Sequence, residues 1–468
     1  MTYEGAKKLL SENGQEHVLR FWDRLNDAEK ASLLAQVEEL DFSSIAKQKE
    51  ILAANLAGTA SAAGEQAPME PAPVTVLSDS DRADIAKIGE HELKAGHVGV
   101  LLVAGGQGSR LGFDGPKGCY PVGPLTDESL FYFHARKLLA LSKRYEVSVP
   151  WYIMTSRTND ADTRAFFEKN GYFGLNPKDV FFFTQGMWPA LTPEGRIILD
   201  QPGHIFLGPD GHGGMLAALD RSGALEDMQK RGLRTVFYFQ VDNPMVDIAD
   251  PAFIGFHVRS GADVSAKVCA KRDPQEGLGV IVERNRRTEI VEYTEFTDEQ
   301  KNERLPDGEL RYKYGSVAIH VFSVDFLVHE THAGLPIHIA HKKIPTVRED
   351  GTVEKPSTPN GYKFEKFIFD CLKDAKVCSC LAFDRTQEFS PVKNAEGKDS
   401  PASCRADLSR KWARWFADAG VTLDVDADGY PKNRIEIDPV FANTAEELSA
   451  RLATGVTIDR AADILLKA

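Results

Sequence analysis

One stretch of the chain decides its fold: Leu101-Leu-Val-Ala-Gly-Gly-Gln-Gly-Ser-Arg-Leu-Gly112, followed at once by Pro116-Lys117-Gly118. It continues the apolar run Val98 to Val103, which is short, continuous and branched, as is typical of a parallel strand buried on both faces. Three glycines follow, Gly105, Gly106 and Gly108. They permit positive φ angles, and they lack the Cβ atoms that would keep a ligand from backbone N–H groups. The stretch therefore predicts a loop that binds phosphate or a base edge at the end of a buried strand.

Two cations strengthen this prediction. Arg110 is planar and can bind two oxygens, whereas Lys117 is a point charge. Both are expected to neutralise the charge of a nucleoside triphosphate. The spacing excludes the two commonest nucleotide loops, because a dinucleotide fingerprint needs glycine where Leu111 stands and a P-loop needs glycine where Pro116 stands. A dehydrogenase that holds a dinucleotide in this loop is accordingly a disfavoured alternative.

The overall composition narrows the class of partner. At 468 residues the chain is long enough for two or three domains, since one domain takes roughly 150 residues. It has 56 basic and 69 acidic residues, a net charge of −13, and no long basic stripe. We therefore expect neither a nucleic acid polymer nor a membrane as a partner. A local positive site in an acidic protein still suits a small anionic substrate.

Cysteine usage and hydropathy indicate a cytoplasmic protein. The six cysteines are scattered without a disulfide-like framework, so reduced thiols are expected. Cys378 and Cys380 have no histidine beside them, which favours two strand residues over a zinc site. We find no run of about 18 apolar residues and no signal peptide at the N-terminus, so a cytoplasmic location is predicted.

The apolar pattern predicts three regions: a helical N-terminal region with a linker over residues 1–90, an alternating region over 91–385, and a small C-terminal unit over 386–468. Helical spacing extends from about residue 3 to residue 57. The segment Ala57 to Pro73 is rich in Ala, Gly and Pro and is expected to be a linker on the surface.

Apolar strands alternate with amphipathic helices in the middle region. The predicted strands are Val98–Ala104, Pro150–Thr155, Val180–Thr184 and Thr235–Val241, and the predicted helices are Leu130–Tyr145, Asp160–Asn170 and Gly214–Lys230. This alternation predicts an α/β fold with a doubly wound, mostly parallel sheet and a ligand site at the carboxyl ends of its strands. The glycine-rich loop and Asp242 would both lie at that edge. Residues 263–322 instead show strands with polar alternation, which could extend the sheet as a mixed sheet.

The C-terminal unit contains an acidic motif, Asp424-Val-Asp-Ala-Asp-Gly429, that begins like a calcium-binding loop. The twelfth position is Ile435, however, where such a loop needs glutamate, and Pro431 interrupts it. The pattern favours a solvated acidic turn.

Nine segments resemble, in order, the eukaryotic-type UDP-N-acetylhexosamine pyrophosphorylases and the wider UTP–sugar-1-phosphate uridylyltransferase family. They are LLVAGGQGSRLG, PKG, VPWYIMTS, FFTQGMWPAL, PDGHGG, QVDNPMV, VEYTE, KPSTPNGYKFEKFIFD and EFSPVKN. The likeness covers about residues 12–400. It implies a Rossmann-like, glycosyltransferase-A-like nucleotidyltransferase fold whose catalytic domain is the region 91–385.

The reaction that the resemblance implies is attack by a hexose 1-phosphate on the α-phosphorus of UTP, giving UDP-sugar and pyrophosphate. The resemblance favours N-acetylglucosamine 1-phosphate as the expected substrate, and a glucose 1-phosphate or broad-specificity enzyme is the alternative. A non-catalytic UDP-sugar sensor is a hypothesis from a different class. The intact residues Arg110, Lys117, Asp242 and Lys393 argue against it.

The resemblance also implies a role for each matching residue. The catalytic residues are Arg110, Lys117 and Lys393, and the nucleotide-binding residues are Ala104, Gly105, Gly106, Gln185, Gly211 and Lys363. Within the second group, Ala104 to Gly106 and the amide of Gln185 are expected to recognise uracil. A buried carboxylate at Asp242, after the apolar run Val236–Val241, needs a metal ion or a hydrogen-bond cluster, and Mg²⁺ suits it. A helix cap is the alternative for Asp242.

The predicted sugar-binding residues are His212, Gly279, Glu292 and Ser316. Gly279 and Glu292 match the family pattern. His212 stands where the N-acetylhexosamine members have asparagine, and Ser316 replaces a second expected asparagine. These two departures bear on recognition of the acetamido group and leave the catalytic residues unchanged.

Overall fold

The computed structural model describes residues 1–58 and 68–468, and this part of the chain contains twenty strands and fourteen α-helices. The strands are β1 (Glu70–Pro71), β2 (Val98–Val103), β3 (Trp151–Thr155), β4 (Val180–Thr184), β5 (Met187–Pro189), β6 (Leu199–Gln201), β7 (His204–Ile205), β8 (Leu207–Pro209), β9 (Thr235–Gln240), β10 (Val264–Ala270), β11 (Val280–Arg284), β12 (Arg287–Val291), β13 (Tyr314–Ser323), β14 (His338–Lys342), β15 (Thr346–Val347), β16 (Val353–Glu354), β17 (Gly361–Glu365), β18 (Cys378–Ala382), β19 (Ile435–Ile437) and β20 (Ile464–Leu466). The helices are α1 (Tyr3–Glu12), α2 (Asp27–Glu39), α3 (Phe42–Leu56), α4 (Asp79–Lys94), α5 (Leu130–Tyr145), α6 (Asp160–Lys169), α7 (Met215–Arg221), α8 (Ala224–Lys230), α9 (Pro251–Ser260), α10 (Asp298–Asn302), α11 (Val324–Ala333), α12 (Arg385–Glu388), α13 (Pro401–Asp418) and α14 (Ala445–Ala453).

The contacts divide the chain into two units. Unit 1 comprises the described residues of Met1–Ala67 together with Gln185–Ala217 and Gly334–Ile368. Unit 2 comprises Pro68–Thr184, Ala218–Ala333 and Phe369–Ala468. Both units are therefore built from segments that are distant in the sequence, and their boundaries differ from the three predicted regions.

Unit 2 is organised around one mixed sheet of ten strands within the described chain. Its main path runs β1-β11-β13-β9-β2-β3-β4, β10 adds to β13, and β12 and β18 pair with β11 and β10. Strands β9, β2, β3 and β4 are parallel neighbours, and β13 runs antiparallel to β9. The predicted mostly parallel α/β fold and its mixed extension over residues 263–322 are confirmed.

The central strands are buried on both faces, as their continuous apolar runs predict. Leu101 and Leu102 of β2, whose side chains lie on opposite faces, are 1% and 0% exposed, and Phe237 of β9 is 0% exposed. The strand Val180–Thr184 and the helix Leu130–Tyr145 have the predicted bounds, and the other predicted strands end within one residue of the observed ends.

One predicted helix is wrong. Instead of a single helix over Gly214–Lys230, the chain forms α7 and α8, which are separated at Ser222 and Gly223. Gly223 has a φ of +75°, a left-handed conformation that ends one helix and precedes the next.

The first residues of unit 2 lie within the segment that was predicted to be a linker. The prediction of a surface linker over Ala57–Pro73 lies partly outside the described residues. In its last part, β1 pairs with β11, and the Tyr312 hydroxyl donates to the Met69 carbonyl at 2.8 Å. This part lies on the surface as predicted, since Glu70 and Pro71 are exposed, but it is anchored there, because Met69 packs against the apolar side chains of β11.

Helix α4, which the prediction placed in the N-terminal region, packs in unit 2 against α9. Glycines at the crossing allow this close approach, because a Cβ atom on Gly89 would lie 1.9 Å from the carbonyl oxygen of Pro251, and one on Gly255 would lie 2.0 Å from that of Ile85.

The C-terminal segment packs in unit 2 as well. Trp412 and Phe416 of α13 belong to the core cluster that contains Phe133 of α5. The guanidinium of Arg136 in α5 binds the carboxylate of Asp438, which is 4% exposed. The acidic motif forms a turn, as predicted, in which the Asp426 carboxylate accepts from the N–H groups of Asp428 and Tyr430 at 2.9 Å.

Unit 1 contains the N-terminal helices that the spacing predicts. Their apolar faces, including Leu10, Val18 and Leu33, share a core with Leu199 and Phe364 from the two later segments. Short antiparallel pairs, β5 with β8 and β14 with β17, supply the strands of this unit. The side chain of Gln15 links the first segment of this unit to the second. Its amide nitrogen donates to the carbonyl of Gly195, and its oxygen accepts from the N–H of Ile197.

All six cysteines are free thiols, and Cys378 and Cys380 lie in β18, as predicted. Across residues 1–58 and 68–468, the structure contains no helix that is both long and apolar enough to cross a membrane.

Candidate active site

The glycine-rich loop leaves the carboxyl end of β2 and returns on itself. The N–H of Lys117 donates to the carbonyl of Gly106 at 3.0 Å, and the N–H of Gly108 donates to the carbonyl of Gly115 at 2.9 Å. Because these two bonds close the loop, they place Lys117 beside the glycines that the sequence predicts to bind phosphate.

The conformational role expected of the glycines is wrong in detail. Positive φ angles occur at Gly112 (+68°) and Gly115 (+142°), not at Gly105, Gly106 or Gly108. Gly108 is required for packing, because its Cβ atom would lie 2.8 Å from the ring of Phe113. A Cβ atom on Gly106 would meet nothing within 4 Å. Gly106 thus leaves open space above its backbone.

Asn159, which belongs to none of the motifs quoted above, orients this loop. Its side-chain amide donates to the carbonyl oxygens of Ala104 and Gly106, at 3.0 and 3.2 Å, and its oxygen accepts from Ser156 at 2.8 Å. The residue is 0% exposed. The polar run Thr155-Ser-Arg-Thr-Asn159 directly after a buried strand was the available signal.

The two predicted cations of the loop have no side-chain partner among the described residues. Arg110 is exposed in the short 3-10 helix Ser109–Leu111, and Lys117 is half-buried at the start of the 3-10 helix Lys117–Cys119. Within the described chain, neither side chain forms a hydrogen bond or ion pair. Gly118 allows the second of these helices to pack closely against Phe131, because a Cβ atom at this position would lie 2.2 Å from the ring.

Asp242 follows β9, the parallel neighbour of β2. The N–H of Val241 continues the pairing by donating to the carbonyl of Val103 at 3.1 Å, so Asp242 and the glycine-rich loop share one edge of the sheet, as predicted. The alternative that Asp242 caps a helix is wrong, because the next helix, α9, is capped by Asp250.

The environment of Asp242 fits a single carboxylate ligand for Mg²⁺. Its half-buried carboxylate has no hydrogen-bond partner among the residues that the structure describes. The same residues provide no group of three or more His, Cys, Asp or Glu side chains able to hold a metal ion. A cation at Asp242 would take its other oxygen ligands from phosphate and water, which is the usual arrangement for Mg²⁺.

Lys393 is brought to this edge from far along the chain. The N–H of Val392 donates to the carbonyl of Asp242 at 2.8 Å, and the N–H of Lys393 donates to the carbonyl of Asp399 at 2.7 Å. The ammonium of Lys393 lies 5.9 Å from the ring centroid of Phe389. Unit 2 therefore contains the three predicted catalytic residues Arg110, Lys117 and Lys393, and the main chain beside Lys393 is bonded directly to Asp242.

Three of the four predicted sugar-binding residues also lie in unit 2. The N–H of Ser316, near the start of β13, donates to the carbonyl of Gly279 at 2.8 Å. A Cβ atom on Gly279 would lie 2.7 Å from the side chain of Ile290 and 3.9 Å from that of Glu292. Since β13 is antiparallel to β9, its first residues lie towards the edge that carries Asp242.

The remaining predicted residues, Gln185, Gly211, His212 and Lys363, lie in unit 1. Gln185 is 7% exposed, and the pairing of β5 with β8 extends to a bond from the N–H of Asp210 to the carbonyl of Gly186 at 3.1 Å. Gly211 has a φ of +83°, and a Cβ atom there would lie 2.4 Å from the carbonyl oxygen of Lys366. A residue with a side chain could not take this place.

His212 is held by the segment that follows β17. Its Nδ1 atom accepts from the N–H of Ile368 at 3.1 Å. Its ring stacks on Phe367, with centroids 5.3 Å apart and planes at 22°, and Phe367 stacks on His338 at 4.5 Å. Because Nδ1 accepts, the neutral ring carries its proton on Nε2.

Two of the three lysines in the motif that contains Lys363 lie over aromatic rings. The ammonium of Lys363 is 4.9 Å from the ring centroid of Phe206. Lys366, which was not among the predicted site residues, has its ammonium 5.4 Å from the ring centroid of Trp188. Burial lowers the pKa of Lys366, and the Asp210 carboxylate opposes this effect. The signal was its position three residues after Lys363 in the same motif.

Comparison with known proteins identifies the family. The family described as UTP–glucose-1-phosphate uridylyltransferase matches residues 58–410. The chain belongs to this family. UDP-N-acetylhexosamine pyrophosphorylase-like protein 1 of Xenopus tropicalis is 36% identical, over 96% of this chain and 93% of its own. UDP-N-acetylglucosamine pyrophosphorylase of Saccharomyces cerevisiae is 34% identical over 99% of both chains.

A solved structure extends the likeness of this uridylyltransferase family member to its fold. The crystal structure of the uridine diphosphate N-acetylglucosamine pyrophosphorylase from Trypanosoma brucei, in complex with an inhibitor, matches with a TM-score of 0.84 and 28% sequence identity. The match covers 99% of this chain and 98% of that chain. The predicted family resemblance and the nucleotidyltransferase-like fold are confirmed.

Proposed function

We propose that the protein is a uridylyltransferase that makes UDP-sugar and pyrophosphate from UTP and a hexose 1-phosphate. The observation that carries this proposal is the edge of the unit 2 sheet, where uncommitted Arg110 and Lys117 side chains and Lys393 accompany the unpartnered carboxylate of Asp242. Such a set of cations suits a triphosphate. Membership of the uridylyltransferase family supports the reaction class.

The chemistry follows from this set of side chains. An oxygen of the sugar 1-phosphate attacks the α-phosphorus of UTP, and the bond from that phosphorus to the bridging oxygen of pyrophosphate breaks. The nucleophile is already ionised near neutral pH, so no general base is needed. Arg110 and Lys117 stabilise the charge that develops on the leaving pyrophosphate, and Lys393 holds phosphate oxygens. Catalysis then depends on positioning and on charge neutralisation.

We include Mg²⁺ in the proposal, with Asp242 as its protein ligand. The ion, when bound, would neutralise charge on the phosphate oxygens. Asp242 suits this role because its carboxylate is half-buried and unpartnered among the described side chains.

The nucleotide-binding proposals follow the family motifs. The backbone of Ala104 to Gly106 and the amide of Gln185 are proposed to recognise uracil, and Gly211 and Lys363 are proposed to contact the nucleotide. Asn159 supports the first of these proposals, since it fixes two carbonyl groups of the loop.

We propose N-acetylglucosamine 1-phosphate as the preferred sugar, and the names of the relatives from Saccharomyces cerevisiae and Trypanosoma brucei support it. Glucose 1-phosphate, or several sugar 1-phosphates, is the second candidate. It is favoured by His212 and Ser316, which stand where the N-acetylhexosamine pattern has asparagine. The cytoplasmic location stays a prediction.

The test is initial-rate pyrophosphate release with UTP and Mg²⁺. N-acetylglucosamine, N-acetylgalactosamine and glucose 1-phosphates are compared at equal concentration, and the Lys117→Ala variant serves as the control for contaminating activity. We expect release with at least one sugar, fastest with N-acetylglucosamine 1-phosphate. Binding of UDP-sugar without release from any of the three would support the sensor hypothesis instead.

A further inference from the structure

Asn243, the residue after Asp242, is 5% exposed and uses both ends of its side chain. Its amide nitrogen donates to the carbonyl of Glu388 at 2.7 Å. Its oxygen accepts from the N–H groups of Ser390 and Met245 at 3.1 and 3.2 Å. The side chain thus joins the end of β9 to the main chain of a segment that is 145 residues away.

That segment is the one that carries Lys393. Two residues beyond Ser390, the N–H of Val392 donates to the carbonyl of Asp242 at 2.8 Å. Asp242 and Asn243 therefore make three hydrogen bonds to the main chain between Glu388 and Val392. These bonds fix where the backbone of Lys393 begins relative to Asp242.

The segment has a second anchor at its first residue, the carboxylate of Glu388. The Glu388 carboxylate accepts from the ammonium of Lys267 at 2.6 and 2.7 Å, and Lys267 also binds Asp250 at 2.9 Å. Lys267 is 0% exposed. Burial acts to lower the pKa of Lys267, but the two carboxylates outweigh it and keep the amine charged. This anchor fixes the start of the segment, and Asn243 fixes the part nearer to Lys393.

We propose that Asn243 is a positioning residue that holds Lys393 in its catalytic position relative to Asp242. The proposal rests on the proposed function, in which Lys393 contacts phosphate. An asparagine suits the role, because it satisfies a buried carbonyl and two buried N–H groups without adding charge beside Asp242. Alanine would leave all three groups without this partner, whereas aspartate would lose the donor and add a second carboxylate.

A double-mutant cycle tests the proposal on the full chain. Pyrophosphate release is measured for wild type, Asn243→Ala, Lys393→Ala and the double variant, with kcat and KM determined separately. Because a displacement of about 1 Å can cost about 100-fold in rate, we expect Asn243→Ala to lower kcat by a factor of that order. KM for UTP should change by less than about threefold, since the Asn243 side chain is buried and both of its ends bind main chain.

The cycle also identifies the residue through which Asn243 acts. The double variant should be no slower than Lys393→Ala within about twofold, because Asn243 has nothing left to position once the lysine is gone. Losses that multiply would overturn the proposal. If Asn243→Ala does not fold, Asn243→Ser takes its place in the cycle, and the same two outcomes apply.

Ser390→Ala is the matched control. It removes the bond from the Ser390 hydroxyl to Asp407, at 2.7 Å, but keeps the N–H that Asn243 accepts. We expect a lower melting temperature with kcat within twofold of wild type; a kcat loss equal to that of Asn243→Ala would make general loosening the cause and overturn the proposal. Failure of the function itself is distinct, because the wild type would then release no pyrophosphate.

Discussion

The imidazole of His212 and the main-chain N–H of Ile368 form a hydrogen bond of 3.1 Å in which Nδ1 is the acceptor. A second contact restrains the same ring, which stacks on the ring of Phe367. The ring is thereby held in one orientation and one tautomer, and Nε2–H is its donor.

His212→Asn tests the proposed role of this residue in sugar choice. We expect the ratio of kcat/KM for N-acetylglucosamine 1-phosphate to that for glucose 1-phosphate to rise by about tenfold, the size of effect that one polar contact can have. His338→Asn is the matched control, because His338 stacks on Phe367 without occupying the motif. An unchanged ratio in His212→Asn would show that another residue sets sugar preference.

Lys117→Ala should abolish most of the turnover. Removal of one preorganised charge contact costs about 3–4 kcal/mol of barrier, which corresponds to a fall in kcat of roughly 10²–10³. Lys87→Ala is the control, since Lys87 is an exposed lysine of α4 paired with Asp84. Circular dichroism should show both variants folded. Turnover retained in Lys117→Ala would contradict the catalytic role.

Substitution by alanine should have different effects on stability at two glycines of the loop region. Gly106→Ala should leave stability unchanged, because its Cβ atom meets nothing within 4 Å, but should weaken UTP binding if a ligand approaches that backbone. Gly118→Ala should lower the melting temperature, because its Cβ atom would lie 2.2 Å from the Phe131 ring. Thermal melts and UTP titration distinguish the two, and normal UTP affinity in Gly106→Ala would argue against close approach there.

Asp242→Asn should change the metal requirement. If the carboxylate binds Mg²⁺, the amide will raise the Mg²⁺ concentration for half-maximal activity by about tenfold or more, because a neutral oxygen is a poorer ligand for this ion. Asp247→Asn, on the same loop but paired with Lys411, is the control. The measurement is a Mg²⁺ titration of the initial rate at fixed UTP. Equal requirements in wild type and Asp242→Asn would remove Asp242 from the metal site.

The buried lysine of α5 should make stability depend on alkaline pH. Burial lowers the pKa of Lys137 from 10.5 to about 7, and its ammonium donates to the carbonyls of Pro244 and Val246. Between these two pH values the unfolded chain binds more protons than the folded one, so stability rises with pH by up to about 1.4 kcal/mol per unit. Below pH 7 both states are protonated and this slope vanishes.

Lys137→Met measures that contribution. The urea midpoint of wild type should rise relative to that of the variant between about pH 7 and pH 9 and stay at a constant offset below pH 7. Midpoints that differ by the same amount at every pH would show that Lys137 titrates normally.

Predictions from the sequence succeeded where one local signal sufficed. Strand β4 and helix α5 have continuous apolar or helical patterns, and the loop after β2 has its glycines and cations together in the sequence. The break at Gly223 was missed because the apolar spacing of α7 continues into α8. Asn159 and Asn243 were missed for another reason: each binds main chain that is remote in sequence. The polar run after β3 marks Asn159, but no local pattern shows which residues either asparagine binds.

The segmented construction of unit 1 has a consequence for how the chain folds during synthesis. Leu10 and Leu33 emerge early, yet their shared core needs Leu199 and then Phe364, which is synthesised after most of the unit 2 strands. The N-terminal helices therefore leave the ribosome before the residues that cover their apolar faces have been synthesised. While that surface is exposed, chaperone binding and aggregation compete with folding. The same order means that no deletion from the N-terminus removes unit 1 cleanly, because the two later segments would remain without the helices that cover them.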